Sequence, residues 1–144
     1  MFYKIIILFV LIIINNKIFS QDLCIKIDSI VVNYIPINVN TTLSLDDYDI
    51  LNFNKEYRYK KVITDTTKIQ TFSKINLFNN KNKNLTSIDV RLVIRVYSNE
   101  INIINVSMDK FFNYKIKNKI FLKSDELLNW IRTLNLKDVG IITE

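Results

Sequence analysis

Residues 86–108, TSIDVRLVIRVYSNEINIINVSM, constrain the fold more than any other stretch of the chain. Ile88, Val90, Leu92, Ile94 and Val96 alternate with Asp89, Arg91, Val93, Arg95 and Tyr97. That two-residue period is the signature of a half-buried strand. Ser98-Asn99 follows, and Asn tolerates the left-handed backbone that tight hairpin turns require. The return strand carries Ile101 and Ile103, then shifts parity to Ile104, Val106 and Met108. A slip of one residue inside an apolar strand predicts a β-bulge. The stretch therefore reads as a β-hairpin.

The elements around it follow from the same patterning. Residues 24–39 read as a strand with Ile30, Val32 and Tyr34 on one face and Val31 and Ile35 on the other. Apolar residues on both faces indicate a central strand, which Pro36 ends because it has no N–H to donate. LSLDDYDIL predicts a helical turn over residues 45–51, with Ser44 and Asp47 as its capping pair. EYRYKKVI alternates again and predicts a strand over residues 56–63. Asp65 caps a helix over residues 66–78 with Ile69, Phe72 and Ile75 inward. NNKNKN, residues 79–84, is a solvated loop. Residues 111–121 predict one further strand with a turn near Asn118-Lys119. Ser124 opens a last helix, where Asp125 and Glu126 favour the positive end of the dipole. Leu127, Trp130, Ile131 and Leu134 fall on one face of it. Strands in runs rather than strict alternation with helices predict an α+β domain. The expectation is a mainly antiparallel sheet of about four to five strands packed against two helices, in a single domain over residues 21–144.

Residues 1–20 read differently. A short basic start precedes the unbroken apolar run IIILFVLIII at residues 5–14. Ten residues fall short of the roughly 20 a helix needs to cross a bilayer, and the run matches the apolar region of a secretory signal peptide. Cleavage is expected near Ser20 or Gln21, giving an exported protein, periplasmic, envelope-associated or secreted, with no transmembrane span in the mature form. Cys24 lacks the small preceding residue that lipid attachment requires. As the single cysteine it forms no internal disulfide, so the domain relies on its core. Without Lys4 and Lys17 the chain keeps 18 basic and 14 acidic residues, a net +4. A modest excess of this kind acts first on solubility.

Composition excludes more chemistry than it suggests. With no His, Ser-His-Asp and Cys-His catalysis and His-based metal sites are ruled out. A single Cys and a single Gly rule out Cys-rich metal clusters and glycine-rich phosphate loops. No cofactor is expected. Asp46, Asp47 and Asp49 cluster, but their spacing is not that of a calcium loop, and acids at a helix start explain them better. Asp89, Arg91 and Arg95 line one strand face, and Lys115, Lys117 and Lys119 a later row, the candidate binding residues. A self-paired strand face and edge-protecting lysines are the simpler accounts of both sets. Tyr57-Arg58-Tyr59-Lys60-Lys61 mixes cations with rings as single-strand nucleic-acid binders do. Alternation along a strand separates the two types, and export argues against a nucleic-acid partner. Asn40, Asn84 and Asn105 head Asn-x-Ser/Thr triplets that chance supplies in an Asn-rich chain.

The reading that fits these exclusions is a small exported, non-enzymatic module that binds another protein or an anionic envelope surface. An inhibitor or an immunity protein against a toxin would be of this kind. A small carboxylate-based hydrolase or ligand carrier is the alternative, and it requires a cleft holding acids of perturbed pKa.

Overall fold

The computed structural model describes residues 26–36, 38–79 and 84–137. The segment read as a signal peptide, Cys24 and most of the 79–84 loop lie outside those residues. Six strands form one antiparallel sheet in the order β2-β1-β3-β4-β5-β6. They are β1 (Ser29–Tyr34), β2 (Tyr59–Ile63), β3 (Val90–Ser98), β4 (Ile101–Asp109), β5 (Tyr114–Ile116) and β6 (Lys119–Phe121). Among the described residues three helices accompany them: α1 (Asp47–Asn52), α2 (Thr66–Ser73) and α3 (Asp125–Arg132). The α+β class holds, with more strands than expected. The difference arises at residues 111–121, read as one further strand with a turn near Asn118-Lys119. The chain reverses one residue earlier, at Lys117-Asn118, Lys117 taking a φ of 54°, and the turn separates two short paired strands, β5 and β6.

The main core lies on the first face of the sheet. Ile30, Val32, Leu92, Ile94, Val96, Val106 and Met108 pack there against Ile69 and Phe72 of α2 and Leu127, Trp130 and Ile131 of α3. Each such side chain, fully buried, contributes about 1.5–3 kcal/mol of transfer free energy. Periodicity set the α3 face correctly, and Leu134 just beyond the helix is buried with it. The Ser124 hydroxyl accepts from the Leu127 N–H at 3.3 Å, and Asp125 and Glu126 occupy the first turn. Trp130 ties the helices together: its Nε1–H donates to the Lys68 carbonyl at 2.8 Å and its ring meets Phe72 at 4.7 Å. Asp65 caps α2 as read, accepting from the Lys68 N–H at 2.9 Å. That helix stops at Ser73 rather than near Phe78. Asn76 Oδ1 accepts from the Phe78 N–H, a local turn that competes with helix continuation. Leu77 is buried past the helix end, where its carbonyl accepts from the Tyr114 hydroxyl at 3.2 Å.

A smaller core sits on the second face. Ile35, Ile50, Val90 and Val93 form it, with Val39, Leu45 and Phe53 packed alongside. Ile30, Val32 and Tyr34 of β1 thus face the main core, and Ile35 just past its end joins the smaller one. The α1 helix lies on this side, and its cap is Asp46 rather than Ser44. Asp46 accepts from the Asp49 N–H at 2.9 Å and Asp49 accepts from the Asp46 N–H at 2.8 Å, a reciprocal capping box.

Two irregularities in the β3–β4 ladder decide where side chains go. The expected bulge is present: Val96 pairs with Ile104 and Tyr97 with Asn102, leaving Ile103 unpaired. A second bulge was not read from the sequence. Val90 pairs with Asp109 and Leu92 with Met108, so Arg91 is the extra residue. It moves Val90 off the Leu92 face and into the smaller core, against the strict alternation expected of β3. The hairpin turn falls one residue later than read, at Asn99-Glu100, whose φ values of 48° and 64° belong to a primed turn.

Candidate functional site

The six candidate residues occupy four separate places. Arg91 is buried, and each of its three guanidinium nitrogens donates a hydrogen bond. Nε and one terminal nitrogen hold Asp89 Oδ2 at 3.0 and 2.7 Å, and the terminal nitrogens also reach the Val39 carbonyl at 3.0 Å and Thr41 Oγ1 at 2.9 Å. Asp89 in turn accepts from the Leu45 N–H at 2.9 Å, and the Val90 N–H donates to the Leu45 carbonyl. The pair therefore fastens the segment before α1 to the bulged start of β3. Burial raises the Asp89 carboxyl. The Leu45 N–H, the adjacent Arg91 guanidinium and the more distant charge of Lys110 outweigh it, holding the group below its ordinary value of 3.8. A carboxylate held ionised in this way is poorly placed to act as a general acid.

Arg95 stands on the second face between Val31 of β1 and Asn105 of β4. Its guanidinium lies 5.9 Å from the Tyr97 ring centre. Among the described residues Nε of Arg95, Nδ2 of Asn33 and Oγ of Ser107 are buried side-chain atoms with no hydrogen-bond partner. Asn33 and Ser107 flank Val93 in one row across the sheet, one step along from Arg95.

The lysines do not form a single row. Lys115 is on β5, with Nζ 3.1 Å from Asp47 Oδ1. Lys117 sits in the turn, and Lys119 starts β6 opposite Ile116. Ile116 belongs to the main core, so Lys119 is on the opposite side of the sheet from Lys115. Reversal at residues 117–118 breaks the row. Lys115 and Lys117 instead meet Asp47, Asn102, Ile103 and Asn105 around an open groove of about 360 Å³. Asn102 Nδ2 donates to Asn105 Oδ1 at 2.7 Å within it.

Comparison with protein-family models, with curated proteins and with solved structures found no match.

The groove is therefore described by its own chemistry. Asp47 neutralises Lys115, while Lys117 adds a second cation, and three carboxamides supply both donors and acceptors. Asp46 and Asp49 are occupied with each other, and among the described residues no group of three or more His, Cys, Asp or Glu is placed to hold a metal ion. Likewise, no described helix is long and apolar enough to cross a membrane. The tyrosines of the basic aromatic segment are partly absorbed by the fold, since Tyr59 stacks on Tyr34 at 5.3 Å. Asn105 is exposed on β4, while Ser107, the third residue of its triplet, is buried.

Sequence reasoning singled out Lys115 and Lys117 but missed Asp47, Asn102 and Asn105 as their neighbours. The signal available was the parity slip at Ile103. It marks the half of β4 that leaves the regular ladder, which is where the groove opens.

Proposed function

We propose that this chain is a small exported, non-enzymatic module that binds another protein through the second face of its sheet, in the manner of an inhibitor or immunity protein. The observation that carries the reading is the half-covered state of that face. α1 and the smaller core shield only Ile35, Val90 and Val93 and their surroundings. Beyond them Val62, Val31, Arg95 and Asn105 run in one row across four strands; Val31 is buried within it, while Val62 is 53% exposed and Asn105 exposed too. Ile103, 40% exposed, and Lys115 and Lys117 continue the surface. Apolar side chains interleaved with cations suit a protein partner of acidic character, which gains contact area from the first and orientation from the second. The Asp89–Arg91 pair, the one ion pair among the candidate residues, is committed to holding the fold.

Capture from an envelope extract tests the reading, with the full-length chain tagged at its C terminus as bait. One stoichiometric protein is expected on the wild type and on Asn129→Asp, which alters the exposed side of α3. The same protein is expected to be lost on Arg95→Glu, with an unchanged unfolding midpoint. Recovery of the bait alone, or equal recovery on all three, overturns it.

A further inference from the structure

β4 is nine residues long, but β5 pairs only with Val106, Ser107 and Met108. β5 ends at Ile116 and the chain turns away through Lys117 and Asn118 into β6. Residues 101–105 of β4 therefore pair with β3 on one side, and among the described residues no strand lies on their other side. Exposure agrees with the topology: Ile101 is 67% and Ile103 40% exposed, and Asn102 and Asn105 are exposed as well. The groove of about 360 Å³ is the space into which β5 would have continued. It has a strand flank as one wall, and Lys115, Lys117 and Asn118 at its closed end.

We propose that this open half-edge of β4 takes an extended, acidic segment of a partner protein as an added strand. The proposal rests on the protein-binding reading above and names the partner's chemistry. A strand flank offers N–H and C=O groups to any extended chain, and neighbouring side chains then select among chains. Here Ile101 and Ile103 favour an apolar residue on the incoming segment, and Lys117 favours a carboxylate beside it. Asp47 already balances Lys115, so one acidic residue next to Lys117 brings the groove to neutrality. A second copy of this chain is the poorer occupant, because it would set Lys117 against another molecule of net positive charge, +4 without Lys4 and Lys17. The outer flank of the sheet at β2 is of equal length, five residues, but Lys60 and Lys61 lie along it, a common guard against strand addition.

Selection of displayed random peptides on the immobilised full-length chain supplies the probe. One selected peptide, made synthetically, is then titrated by fluorescence anisotropy and followed by amide hydrogen exchange. The selected sequences are expected to alternate apolar and acidic residues. Affinity should fall about tenfold or more on Lys117→Glu, persist on Lys117→Arg, and weaken with added salt. Amides within residues 101–105 should gain protection on binding. Neutral or basic selected sequences, affinity unchanged in Lys117→Glu, or protection at Tyr59–Ile63 instead would each overturn the proposal. So would a concentration-dependent dimer that Ile103→Asp dissolves, which would assign the edge to self-association. If the protein captured from the extract depends on Arg95 but not on Lys117, the binding module stands and this edge is not its means.

Discussion

The fork of N–H groups on a guanidinium is rigid, and in Arg91 it is aimed at Asp89, Val39 and Thr41 rather than at solvent. Arg91→Met keeps the stem and removes every one of those bonds. It is expected to cost about 2–3 kcal/mol in urea unfolding, because a carboxylate and a carbonyl lose their donor. The same pair sets an acid dependence. Its folded pKa lies below the unfolded value of 3.8, so the contribution of Asp89 is fully present above that value and is lost as pH falls through the folded pKa. The stability gap between wild type and Arg91→Met should therefore narrow as pH is lowered from about 5 to about 2. A gap constant across that range would show that the charge on Asp89 contributes nothing. Residue types alone marked Asp89 and Arg91 as notable. They could not distinguish a ligand site from a structural clasp, since the distinction depends on a loop more than forty residues earlier in the chain folding back onto them.

Among the elements, those with strong periodicity were legible in the sequence and those defined by turns were less so. The apolar face of α3 could be read from spacing because burial enforces it, the cap of α2 from a residue type that bonds the first free N–H groups, and the Ile103 bulge from the parity slip that returns Val106 and Met108 to the core. The Arg91 bulge gave no such sign, since both faces of β3 meet apolar clusters there and Val90 is apolar enough for either. Turn positions slipped because the chain uses ordinary residues where glycine is usual. Asn99, Glu100, Phe112, Lys117 and Asn135 all have positive φ, and the single glycine, Gly140, is at none of these positions. Each non-Gly residue in that region stores roughly 1–2 kcal/mol of steric strain, offset in part by the greater unfolded freedom that glycine would bring. Glu100→Gly, which makes the preferred Asn-Gly pair of a primed hairpin, is expected to raise stability by about 0.5–1 kcal/mol. Thermal unfolding would show it, and a lower midpoint would mean that the Glu100 side chain holds the hairpin tip by some contact of its own.

For the molecule as a whole, one sheet carries both cores, so the two sides should melt together. Trp130, the single tryptophan, reports on the main core from between α2 and α3, while far-ultraviolet circular dichroism reports on the sheet. Coincident denaturant transitions by the two probes are expected, and separated ones would show that the main core opens independently of the sheet. The sheet's strand order has a further effect, on the timing of synthesis. β1 and β2 pair with each other early, but the inner partner of β1 is β3, which ends at Ser98. Before that strand has been made, the earlier part of the chain has an isolated two-stranded ribbon and the two short helices α1 and α2, none of them stable alone. A nascent chain of this design stays unfolded until most of it has left the ribosome, the state in which a polypeptide can still be threaded through a narrow channel.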